Sequence, residues 1–243
     1  MSIGLHRHRS DGLEATSDDS RRWMQSLLAC GIVLGPIFYV VVVLQVLTRS
    51  EFDITRHPLS LLALGSGGWV QTANFVLTGI LAVGCAAGLR LRLRVGRGSI
   101  WVPLLVGTYG LGMITAAVFP ADPAFGFPPG TPDGIQNSLS VSAMLHGAGF
   151  FLAFGSLTAA CFVLAMRFRQ AGHTRLALYS MVTGAAILPV VLAGIAIPRA
   201  TSLLFFAAGI IAFGWLTIVS LRFRSGVRAQ DADPGAAAVG RSS

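Results

Sequence analysis

Two histidines, a serine and two aspartates are the residues of this 243-residue chain best placed to do chemistry, because they stand in short polar segments of an otherwise apolar sequence. His57 and Ser60 fall in RHPLSLLALGSGGWVQ (56–71), Asp122 and Asp133 in FPADPAFGFPPGTPDG (119–134), and His146 in SAMLHGAG (142–149). Two histidines and a carboxylate are enough to hold a catalytic zinc with an open position. Each residue also has a plainer use. His before Pro marks a turn, Asp before Pro caps one, and a histidine inside a span can satisfy an interhelical hydrogen bond. The sequence contains no Gly-rich phosphate loop, no His-Glu-x-x-His, no Gly-x-Ser-x-Gly and no nucleophile paired with a base.

The elements that must position these residues are membrane spans. Hydrophobic residues make up 53% of the chain and charged ones 12%, with a mean hydropathy of +0.70, which is far from the mixture that keeps a soluble domain wetted. A spanning helix needs about 20 apolar residues. Six uncharged runs approach or exceed that length: Trp23 to Leu47, Trp69 to Leu89, Ile100 to Phe119, Val141 to Met166, Leu176 to Ile197 and Ser202 to Leu221. They are too long and too uniformly apolar for barrel strands of about 10 alternating residues. The reading is an all-α polytopic membrane protein, six transmembrane helices in one bundle (23–224), with a disordered cytoplasmic arm (1–22) and tail (225–243).

All 18 basic residues are arginine, and 15 of them fall on one side of these spans; Arg49, Arg56 and Arg199 fall on the other. The positive-inside rule then makes both termini cytoplasmic in the cell (plasma) membrane. The net charge of +8 is accounted for by arginines snorkelling to membrane lipids. It does not point to nucleic acid, because there is no soluble domain to present a basic face. SRRWMQ and LLACG, ending on Cys30, look like fragments of a twin-arginine signal and a lipoprotein cleavage site, but the apolar run continues past the cysteine as a full span. Cys30, Cys85 and Cys161 all lie within spans near the arginine-rich side and read as small packing residues, with no Cys-x-x-Cys among them. The spans carry no carboxylate, which argues against an ion-coupled pump.

Polar residues collect on the other, outer side. The first outer loop holds Glu51, Asp53, Arg56, His57 and Ser60, and the next span opens with Trp69, followed by Gln71, Asn74 and Thr78 on one helical face. His146 lies about one turn inside its helix, with Gly149, Ala153 and Ser156 following on a small-residue stripe that lets another helix approach closely. The short run LSLLALG, between Pro58 and Gly65, is far too short to span. It is expected to lie at the outer interface or tuck back over the bundle as a lid, bringing His57 or Ser60 toward Asp122 and His146.

Three blocks, RHPLSLLALGSGGWVQTANFVLTG, GMITAAVFPADPAFGFPPGTPDG and SVSAMLHGAGFFLAFGSLTAACFVLAMRF, occur in this order between Gly31 and Arg224. Together they resemble the bacterial membrane family catalogued as domain of unknown function 998. The resemblance implies a six-span integral membrane protein and supplies no activity. Matched positions include His57, Pro58, Ser60, Gln71, Asn74, Asp122, His146 and Gly147.

The function expected from the residues is a non-enzymatic binding or accessory role. A polar outer pocket of His57, Ser60, Trp69, Gln71, Asn74, Asp122 and His146 would take a lipid headgroup or small amphiphile, without a cofactor. The alternative is a metal-dependent hydrolase or transferase using His57, Asp122 and His146. Nothing in the sequence sets the oligomeric state.

Overall fold

A backbone in hydrocarbon must pair its own N–H and C=O groups, and the α-helix pairs them within one segment. The computed structural model describes the backbone of residues 3–232 and the side chains of residues 19–226. It contains six long helices: α1 (Ile3–Thr48), α2 (Gly68–Arg92), α3 (Trp101–Val118), α4 (Val141–Gln170), α5 (Thr174–Ala196) and α6 (Thr201–Ala232). Each includes a stretch long and apolar enough to cross a membrane, from the 18 residues of α3 to the 30 of α4. No β-strand occurs among the described residues. The expected arm and tail fall largely on residues whose side chains are outside those described.

The helices pack in chain order as a closed ring, each against the next and α6 back against α1. Contacts across the connections make neighbours antiparallel: Asp122, just after α3, bonds Ser140, just before α4, and Arg167, near the end of α4, bonds Val95 and Arg97, between α2 and α3. The α1–α2, α3–α4 and α5–α6 connections therefore gather at one end of the ring, the loop end, and α2–α3 and α4–α5 at the other, the arginine-rich end.

Lipid is as apolar as a leucine side chain, so helices in a membrane are held by close packing rather than by escape from water. Glycines make that packing possible at two crossings. A Cβ on Gly79 would stand 2.6 Å from the carbonyl oxygen of Gly110, between α2 and α3; one on Gly112 would stand 2.5 Å from that of Gly149, between α3 and α4. Deeper in the ring, Trp215 of α6 is fully buried and donates its indole N–H to Ser180 of α5 at 3.0 Å. Cys85 lies 3.4 Å from Ser220, and all three cysteines are free thiols.

The segment after His57 is a single 3₁₀ turn, Leu59–Ala63, packed against α2 and α6. It is tucked inward rather than laid on the surface: Leu61 and Leu62 are buried. The αL glycine Gly67 then starts α2. Trp69, in the first turn of α2, is 74% exposed and points away from the ring, the position of an interfacial anchor.

Candidate ligand cavity at the loop end

The ring encloses a cavity of about 340 Å³. Its deep walls are aromatic and apolar. Phe38 comes from α1, Phe75 from α2, Tyr109 and Met113 from α3, Phe150 and Phe154 from α4, and Phe213 from α6. Apart from Tyr109 and Tyr39, whose hydroxyl donates to the Phe206 carbonyl at 3.0 Å, the polar side chains of its wall lie toward the loop end: Ser60 of the 3₁₀ turn, Asp122 and Gln136 of the α3–α4 connection, and His146 of α4. Small-molecule sites have this composition, a mostly apolar volume of a few hundred Å³ with a few placed polar groups.

His146 is fixed by the end of the neighbouring helix. The last carbonyls of a helix have no partner within it, and Nδ1–H of His146 is shared between two of these at the end of α3, Ala116 and Phe119, at 3.0 Å each. Because both partners are acceptors, Nδ1 carries the proton. In the neutral ring Nε2 is then an acceptor on a residue of the cavity wall.

Asp122 is held with equal definition. Its carboxylate accepts the backbone N–H of Ser140 at 2.8 Å and the Ser140 hydroxyl at 2.6 Å. Those two donors hold its carboxyl below the usual 3.8. A carboxylate has further lone pairs, so Asp122 can still accept from a ligand at the mouth.

His57 faces the other way. Its Nδ1 accepts the Asp53 N–H at 2.9 Å, and its Nε2–H donates to the Phe125 carbonyl at 3.2 Å. The ring completes a triangle with Phe52 and Phe127, whose centroids are 5.3 and 5.2 Å from its own. Its own carbonyl accepts the hydroxyl of Ser202, at the start of α6, at 2.7 Å. His57 is therefore a pin joining the first loop, the second loop and α6. Burial pushes its pKa below 6.5, and the neutral ring is the form that can accept at Nδ1.

Gln71 and Asn74 are buried between α1 and α2, behind the cavity wall rather than on it. Gln71 Oε1 accepts from Gln45 at 2.8 Å and from Asn74 at 3.3 Å, and Asn74 also donates to the Phe38 carbonyl at 3.2 Å. The network ties the two helices whose Phe38 and Phe75 line the cavity.

Of the residues singled out in the sequence, the structure brings Ser60, Asp122 and His146 together on one cavity, while His57, Trp69, Gln71 and Asn74 lie off its wall. Among the described residues, no three His, Cys, Asp or Glu side chains gather to hold a metal ion. Both ring nitrogens of His57 are already bonded, to the Asp53 N–H and the Phe125 carbonyl.

One organising residue is absent from the sequence reading of the site. Arg49, at the end of α1, is 9% exposed and donates to the carbonyls of Leu62 at 2.6 Å and Leu64 at 2.7 Å, closing the C-terminal end of the 3₁₀ turn. Its guanidinium also stacks on Phe127, 5.0 Å from the ring centroid. The available signal was an arginine directly after a span on the arginine-poor side, next to a loop with carbonyls to satisfy.

A closed ring of six helices, each with a stretch long and apolar enough to cross a membrane, defines a polytopic helical membrane protein. The chain belongs to the family described as "Protein of unknown function (DUF998)", whose model matches residues 32–222. No curated protein and no solved structure matches the chain.

Proposed function

We propose that the protein is a non-enzymatic binding or accessory component of the cell membrane, and that its cavity takes a small amphiphile with the apolar tail inward. The observation that carries this reading is the polarity gradient of the cavity: aromatic walls in the ring, and Ser60, Asp122 and His146 at the mouth. The mouth offers acceptors, a carboxylate and an imidazole Nε2. The headgroup that suits it therefore carries hydrogen-bond donors, hydroxyl or ammonium, and membrane lipids are the nearest source.

Gly147 supplies the test. It lies on the cavity wall, and a Cβ there would meet nothing within 4 Å, so Gly147→Trp can start a bulky side chain into the cavity without a clash at its first atom. Gly155 is equally open but lies off the wall. Native mass spectrometry of the protein released from nanodiscs should show a bound amphiphile in the wild type and in Gly155→Trp, and none in Gly147→Trp. Equal adducts in all three would reject the cavity as the site.

The same reading sets the arginine-rich end in the cytoplasm, on the 15-to-3 arginine bias and the positive-inside rule. Ser138 and Gln170 are exposed at opposite ends. An impermeant maleimide should label Ser138→Cys in intact cells, and Gln170→Cys only after lysis; the reverse pattern inverts the topology.

A further inference from the structure

The arginine-rich end holds a group that the cavity does not explain. Arg92 ends α2, Arg222 lies in α6 and Arg167 lies near the end of α4, and the charges of Arg222 and Arg167 both act on Arg92. The guanidinium groups of Arg92 and Arg222 flank Gly226, 3.2 and 3.5 Å from where its Cβ would stand. Two of the three arginines have acceptors. Arg167 donates to the carbonyls of Val95 and Arg97, each at 2.9 Å. Arg222 donates to His173 Nε2 at 3.0 Å.

Arg92 is different. Its Nε–H is buried with no acceptor, and the charges acting on it are positive. The ion pairs between described residues, Arg49–Glu51 and Arg56–Asp133, lie at the loop end. A scaffold that holds like charges together around an unsatisfied donor is complementary to an anion. A phosphate suits it best, because its oxygens can accept from two guanidinium groups at once.

We propose that Arg92 and Arg222 form a phosphate site for the headgroup of an anionic membrane lipid, with Arg167 adding to its positive field. The location favours a lipid over a free anion. Arg92 is the last residue of its span, at the depth where headgroups lie and where basic pockets between helices take lipid phosphates. At the same level of α2, a groove against α1 is lined by Ser20, Arg21, Trp23, Met24, Leu91 and Arg94, and Trp23 is 69% exposed. An acyl chain leaving a phosphate on Arg92 has the side chains of Trp23, Met24 and Leu91 to follow.

The test uses the full-length protein in neutral detergent, with thermal midpoint as the readout and three probes: phosphatidylglycerol, phosphatidylcholine and inorganic phosphate. Phosphatidylglycerol should raise the midpoint of the wild type, and the other two should not. Arg92→Gln should abolish the shift. Arg90→Gln removes the same charge from an exposed position in the same turn and should keep it. Without added lipid, Arg92→Gln should be at least as stable as the wild type, since a repelled charge has gone; a lower midpoint would mark Arg92 as structural and overturn the proposal. No shift with phosphatidylglycerol, or equal loss in Arg90→Gln, would overturn it as well, the latter in favour of diffuse attraction. An equal shift with inorganic phosphate would overturn the lipid as the source.

Discussion

Ser140 gives both its backbone N–H and its hydroxyl to the carboxylate of Asp122, so the residue that opens α4 is clasped by one that follows α3. The same hydroxyl accepts the N–H of Ala143 and caps α4. His146 sits in the second turn of that helix, where its imidazole meets the last carbonyls of α3. The clasp therefore positions one mouth residue through another. Ser140→Ala should cost about 1 kcal/mol, the usual worth of an N-cap. It should show as a lower thermal midpoint and faster amide exchange in residues 141–146. An unchanged exchange rate there would mean the cap is dispensable.

Arg49 closes two loops at once, through the carbonyls of Leu62 and Leu64 and the face of Phe127. Removing it leaves carbonyls unsatisfied in a mostly buried setting, at roughly 1–3 kcal/mol for each. Arg49→Ala should lower stability by about 2–6 kcal/mol on that basis. Arg49→Lys should recover only part of this, because an ammonium cannot reproduce the planar fork. Full recovery by lysine would show that charge alone matters.

The spans were legible because a helix that crosses hydrocarbon needs a long, nearly uncharged run: four of the six helices contain their expected segments, α3 stops one residue short of its own at each end, and α5 stops one residue short at its C-terminal end. The cavity was not. Phe38, Phe75, Phe150 and Phe213 line it, but a membrane bundle puts apolar side chains on both its lipid face and its interior, so hydrophobic periodicity cannot separate the two. The direction of His57 was hidden for another reason. It stands three residues before Ser60, yet the turn after Pro58 aims Ser60 at the cavity and His57 at Phe52 and Phe127. The partner of Asp122 lies 18 residues away across an irregular loop, and no short-range rule reaches that far.

His57 gives the loop end a pH dependence with a definite sign. Its pKa is lowered by burial from 6.5, so the folded state binds less proton than the unfolded one over the window below that value. The contribution of His57 to stability is complete above pH 6.5 and is lost as pH falls from there through the folded pKa. Protonation of Nδ1 would displace the Asp53 N–H and loosen the pin between the loops. The protection factors of amides in residues 52–64, which correct for the intrinsic pH dependence of exchange, should fall between pH 7 and pH 5 in the wild type. His57→Phe should already exchange fast at pH 7 and lose most of the pH response. A response that survives in His57→Phe would have to come from another group.

Two glycines of α4, two residues apart, should respond oppositely to the same substitution. A Cβ on Gly149 would stand 2.8 Å from the Gly112 carbonyl oxygen and 3.0 Å from Thr115, while one on Gly147 would meet nothing within 4 Å. Gly149→Ala must push α4 away from α3, an overpacking cost of about 1–3 kcal/mol. The same shift would draw the His146 ring off the carbonyls of Ala116 and Phe119 and distort the cavity mouth. Gly147→Ala has no such neighbour, and alanine improves helix propensity by roughly 0.8–1 kcal/mol over glycine. Thermal unfolding in detergent should therefore rank Gly147→Ala at or above the wild type and Gly149→Ala well below it. Equal effects at both positions would mean that α3 and α4 do not cross at Gly112 and Gly149 in the membrane, and that the mouth is built differently.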